Sequence, residues 1–464
     1  MAAWTPTLTP GDAPLYERLL DALKADIASG ALGDGARLPP QRDLAHRLGL
    51  GLGTITRAYV EAEKAGLVQA HVGRGSFVRG PLSKGMGAAS RSATEDPGPI
   101  NLSQNIAPVG AGGARIVQTL ARLQRRPDLL DNLAYAPSTG LEAHRRAFAT
   151  WLSRTAGVER ADWRQLICCA GAQQALSLAL AALCRPGDEV LCEAATFPGA
   201  RVLADHAGYR LTGVAMDGEG LLPDALDRAA ANGAKAVFVL PTLQNPTGRI
   251  MGAARRADIV AVARRRDLWI IEDGIYSIFG GDPLPALVEL APERTIHVSG
   301  LSKALSPGLR VGFLLAPRGD LFERVVHAVR AQFYAPPNFG ALIATQWIED
   351  GSADIIAGEI RDEMGRRLAL ARSILGSAME PPASAFSPHV WLPMDELAAE
   401  RLAGRALRGG VEVTPPGAPI VAQGLESGVR ICLGAATDRA QLERGLRVVA
   451  TALSGADERS RAVI

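Results

Sequence analysis

At 464 residues the chain exceeds one ordinary domain and is long enough to bury two or more cores. Its 50 Lys and Arg stand against 48 Asp and Glu, which excludes a bulk attraction to nucleic acid or membrane and leaves any such role to a local patch. Five cysteines show no CxxC or His-spaced metal pattern, and there is neither a basic-then-apolar leader nor an apolar run of bilayer length; the expectation is a reduced, soluble, cytoplasmic protein without membrane contact.

Leu15, Leu19, Leu23 and Ile27 recur at helical spacing behind Pro14 and predict a first helix. Pro39-Pro40 opens a short second helix over 41–48 closed by Gly49. A third runs from about Thr54 to Ala65, with Ile55, Ala58, Tyr59 and Ala62 inward. Two short helices across a tight glycine turn make a helix-turn-helix. Residues 67–72, the basic tip Gly73-Arg74-Gly75 and then Ser76-Phe77-Val78 read as a β-hairpin, the wing of a winged helix. The run Gly49-Leu50-Gly51-Leu52-Gly53 is not a dinucleotide loop, because it follows a helix and lacks the third glycine at the required spacing. From Gly80 to Pro99 the chain is small, polar and Gly/Pro-rich without periodicity, the texture of a linker. The expected organisation is a DNA-binding domain over 1–80, a flexible linker over 81–100 and a larger domain over 101–464.

Charge supports the first assignment once it is resolved by region. Residues 37–80 carry seven basic residues (Arg37, Arg42, Arg47, Arg57, Lys64, Arg74, Arg79) against three acids (Asp43, Glu61, Glu63). Leu38-Pro39-Pro40-Gln41-Arg42-Asp43-Leu44-Ala45, Leu48-Gly49-Leu50, Thr54-Ile55-Thr56-Arg57-Ala58-Tyr59 and Gly73-Arg74-Gly75-Ser76-Phe77-Val78 resemble the winged helix of the GntR family of regulators. The resemblance implies contacts to a double-stranded DNA operator from Arg42, Thr54, Thr56, Arg57 and Arg74. Two positions depart from the family pattern. Gly51-Leu52 stands where it has Ser-Arg at the start of the recognition helix, and Pro40 replaces a serine. A missing guanidinium weakens phosphate attraction and flattens its salt dependence.

Beyond the linker, apolar runs ending at Cys169, Cys192, Leu240, Ile271, Val298 and Leu315 alternate with helix-length segments such as 174–183 and 253–266. That order predicts a largely parallel sheet covered on both faces, with ligands gathered at the strand ends. From about 320 to 464 the pattern changes to helices with short strands, including His389-Val390-Trp391-Leu392 and Val429-Arg430-Ile431-Cys432, a smaller α+β subdomain. Polar residues follow three of the predicted strands: Asn245-Pro246-Thr247-Gly248, Asp273-Gly274-Ile275-Tyr276, and Lys303 with Arg310 in Ser299-Gly300-Leu301-Ser302-Lys303-Ala304-Leu305-Ser306-Pro307-Gly308-Leu309-Arg310. This set resembles the fold-type I pyridoxal-phosphate aminotransferases. With the winged helix in front, the chain is similar to the MocR subgroup of GntR regulators.

The resemblance implies pyridoxal 5'-phosphate as cofactor, held as an internal aldimine by Lys303 until an amine-bearing ligand displaces it. Asp273 would pair with the pyridinium nitrogen, and Asn245 and Tyr276 would hydrogen-bond the phenolate oxygen. The phosphate would sit at the helix N-terminus opened by Gly171-Ala172-Gln173, with Ser302 and Arg310 beside it. Phe197 would stack on the ring, Tyr135 would reach the phosphate from the other subunit of a head-to-tail homodimer, and Arg430 would clamp a ligand carboxylate. Gly300 stands where the family commonly has Ser or Thr, so one hydroxyl is lost unless Ser299 supplies it. Two functions follow: a DNA-binding regulator that senses an amino acid or other amine by external aldimine formation at Lys303, or an active aminotransferase with a vestigial winged helix.

Overall fold

The computed structural model describes residues 4–8, 13–29, 31–32, 36–65, 67–71, 75–78, 98–108, 112–130, 132, 134–282 and 284–455. The wing tip at Gly73-Arg74, and all of the expected linker before residue 98, lie outside them. The chain divides into two compact units, Met1–Ala93 and Thr94–Ile464.

The first unit holds α1 (Leu15–Ala28), α2 (Gln41–Leu48) and α3 (Leu52–Lys64), then the antiparallel pair β1 (Val68–His71) and β2 (Gly75–Val78). Leu19, Leu23, Leu44, Ile55, Ala58 and Ala62 fill its core, each at 3% exposure or less, and each large aliphatic among them stabilises the unit by roughly 1.5–3 kcal/mol. Leu15, the first residue of α1, is 41% exposed, while Leu19, Leu23 and Ile27 of the same spacing are buried. Gly49 ends α2 at φ 63°, a left-handed conformation that glycine adopts without a Cβ penalty, and the turn to α3 depends on it. α3 begins two residues earlier than its spacing predicts. Tyr59 locks the pair from inside, its hydroxyl donating to the Pro39 carbonyl at 2.8 Å. The backbone of 36–38 bonds to Ser76 and Val78 and widens the wing.

The second unit is built on seven strands: β4 (Leu166–Cys169), β5 (Glu189–Glu193), β6 (Arg210–Val214), β9 (Ala236–Val239), β10 (Trp269–Asp273), β11 (Thr295–Gly300) and β12 (Gly312–Leu315). Between β6 and β9 lies a small hairpin of β7 (Met216–Asp217) and β8 (Gly220–Leu221). The sheet order is β4-β12-β11-β10-β9-β5-β6, and β12 alone runs against its neighbours. Six strands therefore end on one edge, and the reversed strand starts there. Burial on both faces explains the near-continuous apolar character of the strands.

A second layer pairs β13 (His389–Pro393) with β15 (Gly428–Cys432), and β14 (Val411–Val413) with β3 (Ile100–Leu102). It is smaller than the segment beginning at about 320 suggests. The helices Asp320–Phe333 and Asn338–Glu349 pack on Ala172–Leu183 and Glu142–Thr155, because their apolar faces continue the large core. The layer instead recruits β3 from the start of the unit. Among the described residues no helix is long and apolar enough to cross a membrane.

Candidate functional site

The strand ends converge on a cavity of 450 Å³ lined by, among others, Asn105, Asp273, Tyr276, Lys303 and Arg430. Asn245, Phe197, Ala172, Gln173, Ser302 and Arg310 also line it. Of the sequence-predicted residues of this unit, Tyr135 stands apart: it is 84% exposed and packs edge-on against Tyr334 at 5.2 Å.

Lys303 extends from the turn after β11, and its Nζ donates to the backbone carbonyl of Asn105. Burial holds the amine down at about 8, against weaker help from Asp273, because a charged ammonium loses hydration there. The uptake rate of an aldehyde cofactor by the apoprotein, followed by stopped-flow absorbance, should therefore rise with pH through a midpoint near 8; a midpoint near the ordinary lysine value would deny the burial. The charged amine disfavours the fold below about 8, and this penalty fades as pH rises from there toward the unfolded value of 10.5.

Asp273 ends β10. Burial pushes its carboxyl up to about 6, so it is still mainly ionised at neutral pH. One oxygen accepts from the Ile275 N–H at 3.0 Å, and the other has no hydrogen-bond partner among the described residues. On the neighbouring strand His297, 1% exposed, bonds through Nδ1 to Glu272 at 2.9 Å, while its Nε2 has no hydrogen-bond partner among the described residues.

A continuous hydrogen-bonded chain crosses the cavity wall. Arg430 Nη1 donates to Asn245 Oδ1 at 2.6 Å, Asn245 Nδ2 to the Tyr276 hydroxyl at 3.4 Å, and Asn105 Nδ2 to the same hydroxyl at 2.9 Å. Asn105 Nδ2 also lies 2.9 Å from His389 Nδ1. His389 Nε2 is 3.1 Å from the Gln244 carbonyl and must carry the proton, so Nδ1 accepts and the Asn105 amide has one allowed orientation. Burial and the nearby Arg430 push His389 down to about 3, which keeps it neutral in this role. Arg430 donates further to Thr414 Oγ1 and the Ser103 carbonyl, leaving one N–H on each terminal nitrogen. Asn105, His389 and His297 carry no sequence motif. A polar residue inside a buried strand was the available signal for the two histidines.

At the edge of the sheet, helix Ala172–Leu183 starts with Gly171 at φ 107° and presents first-turn N–H groups without intrahelical partners. Arg310 donates to the Ala170 carbonyl at 2.9 Å, and a Cβ on Gly171 would stand 2.7 Å from its guanidinium. Gly300 faces Gly312 across the ladder, and a Cβ there would lie 3.0 Å from Val311 O and 3.4 Å from Ala172 N. Close backbone approach thus accounts for the missing hydroxyl position. A Cβ on Gly312 would come 2.6 Å from Gly171 Cα, so Gly312→Ala must push the helix start outward. Cofactor phosphate affinity, measured by titration with pyridoxal phosphate against pyridoxal, should drop about tenfold for the phosphorylated form only.

In the first unit Arg42 is exposed on α2, Thr54 is half-buried, and the Thr56 hydroxyl donates to Gln41 Oε1 at 2.8 Å. Arg57 lies over the Tyr16 ring with Cζ 4.0 Å from its centroid, so this guanidinium is drawn toward α1. Arg74 lies outside the described residues.

Residues 97–449 match the family model for aminotransferase class I and II, and residues 15–78 match that for bacterial regulatory proteins of the gntR family. The chain is 30% identical over 319 residues to the uncharacterized HTH-type transcriptional regulator YdeF of Bacillus subtilis (strain 168), covering 68% of each chain. It is 28% identical over 341 residues to the probable rhizopine catabolism regulatory protein MocR of Rhizobium meliloti, again 68% of each. Its fold is similar to that of LysN, an alpha-aminoadipate aminotransferase of Thermus thermophilus complexed with N-(5'-phosphopyridoxyl)-L-leucine, with a TM-score of 0.69 at 24% identity over 86% of this chain and 99% of that one.

Pyridoxal phosphate is the cofactor, and the residues present fit it. The cavity has one primary amine, one buried carboxylate with a spare oxygen, and a glycine-lined helix start with an arginine beside it, the donor set for an aldehyde, a ring nitrogen and a phosphate. The chain belongs to the aminotransferase class I and II family and carries that domain behind a GntR-family winged helix, the architecture of the MocR-type transcriptional regulators.

Proposed function

We propose that this regulator senses an amino acid or other primary amine in the Lys303 cavity and reports its occupancy to operator DNA held by the winged helix. The observation that carries the reading is the joining of Lys303, Asp273, Asn245, Tyr276 and Arg430 around one cavity. When bound, pyridoxal phosphate supplies an aldehyde that exchanges between primary amines. Lys303 offers the resident amine, and the Asn105 carbonyl receives its N–H when a ligand takes its place. Asp273 holds the ring nitrogen with its spare oxygen, and Asn245 and Tyr276 hold the ring oxygen. The first-turn N–H groups at Ala172 and Gln173, with Ser302 and Arg310, hold the phosphate; Phe197 covers the ring. Arg430 keeps one N–H on each terminal nitrogen for a ligand carboxylate, and through Asn245 it is bonded to the ring-oxygen pair. In a head-to-tail homodimer the exposed Tyr135 reaches the partner's phosphate. Arg42, Thr54 and Arg74 belong to the DNA-binding unit and supply backbone contacts, while the polar groups of Thr56 and Arg57, held by Gln41 and Tyr16, would have to turn outward to add theirs.

Sensing requires that the ligand bind two conformations unequally, since the shift cannot exceed that difference in affinity. The completeness of the cavity supports a second reading, turnover as an aminotransferase. One experiment separates them. The holoprotein is screened with amino acids and amines for a change in visible absorbance, then tested for keto-acid release and for retardation of its own upstream DNA at low salt. Ligand-dependent retardation supports sensing; full turnover with no retardation would sink it.

A further inference from the structure

The exposed face of α3 is unusual for a helix that reads DNA. Leu52, Thr56 and Val60 follow one another at four-residue spacing, while Ile55, Ala58, Tyr59 and Ala62 face the core. Leu52 is 44% and Val60 42% exposed. Two polar functions nearby are already engaged. The Thr56 hydroxyl donates to Gln41, which leaves its methyl as the group it can offer, and the Arg57 guanidinium lies on Tyr16.

The glycines at the head of the helix add an independent observation. A Cβ on Gly51 or Gly53 would meet nothing within 4 Å, so packing requires neither. Gly53 lies in the first turn, where glycine costs up to roughly 1 kcal/mol relative to alanine, whereas Gly51 is the N-cap, a position glycine fills at little cost. What glycine does allow is close approach of an outside surface to the helix start.

We propose that α3 reads its operator by apolar contact with thymine methyl groups, through Leu52, the Thr56 methyl and Val60, with Gly51 and Gly53 letting the helix start settle deep in the major groove. This inference rests on the DNA-binding reading of the first unit. The C5-methyl of thymine is the one apolar feature of the major-groove edge, and aliphatic side chains select it. The basic excess over residues 37–80 supplies the attraction to phosphate that such a face lacks, and it favours a duplex over a protein surface as the occupant.

The test uses the full-length holoprotein and duplexes it enriches from a randomised pool. Each thymine of the enriched site is replaced in turn by uracil, which pairs identically and lacks only the methyl. One to three positions per half-site should lose about fourfold in affinity each, the effect of one buried methyl. Leu52→Ala and Val60→Ala should bind the thymine duplex more weakly and the uracil duplex unchanged, so that the thymine-to-uracil ratio falls toward one at a position specific to each. Retardation with no uracil-sensitive position would overturn the proposal while leaving DNA binding intact; so would a ratio that Leu52→Ala and Val60→Ala do not alter. Failure to retard any duplex at low salt would remove the DNA-binding reading and the proposal with it. A change in assembly mass in Leu52→Ala, with retardation unaltered, would assign the face to protein contact instead. The uracil arm leaves the protein untouched, so a folding defect in a variant cannot imitate it.

Discussion

Lys303→Ala, mixed with pyridoxal phosphate and passed through a desalting column, should emerge without the visible absorbance that the parent protein retains. Lys303 is the only primary amine among the described residues lining the cavity, so no neighbour can replace it as the group that condenses with the aldehyde. The remaining phosphate and ring contacts are reversible, and the cofactor washes out. Folding should change little near neutral pH, since leaving the Asn105 carbonyl without its donor costs about 1–3 kcal/mol while the burial penalty of the charged amine is relieved. Lys303→Arg sharpens the test: it keeps a donor for Asn105 and a cation in the cavity but cannot condense, and it should behave as the alanine variant does. An unchanged absorbance in either protein would sink the assignment of Lys303.

Arg430→Ala should have the next largest effect, and it should split ligands into two classes. Amino acids should lose about 100-fold or more in affinity, the range found when one partner of a buried, hydrogen-bonded charge pair is removed. Simple amines of similar size, which have no carboxylate, should bind within about threefold of the parent. The split is measured by spectral titration with paired amino acids and their decarboxylated amines. A uniform loss for both classes would mean that Arg430 serves the fold, which it also supports through Asn245, Thr414 and Ser103. That support has its own readout: Asn245 Oδ1 is left buried without a donor, lowering stability by about 1–3 kcal/mol. Arg430→Lys restores the charge but not the planar fork, and should recover stability more than amino-acid affinity.

Much of the large unit was legible because its strands are buried on both faces and its polar residues fall where those strands stop. Lys303, Asp273 and Asn245 announced themselves by position as much as by type. The strand Arg210–Val214 was not seen, since it lies at the sheet edge and its sequence is half polar. Asn105 carries no such signal. It comes from an irregular stretch without periodicity, and it meets Tyr276 and His389 from 171 and 284 residues away, contacts that no local pattern encodes. The winged helix was read from spacing, yet spacing could not tell that Arg57 lies over Tyr16 or that Thr56 bonds Gln41. Those are choices among rotamers on an exposed face, and they change which groups a duplex would meet.

The Ser103 carbonyl accepts from Arg430, Thr414 and Cys432 together, with the first two at 2.9 and 3.0 Å. It comes immediately after β3, the strand by which the chain enters the second unit after leaving the winged helix. A carboxylate that took the two remaining N–H groups of Arg430 would share its guanidinium with that carbonyl. The first residues of the second unit are thus bonded to the same side chain that, on the proposed reading, a ligand carboxylate would meet.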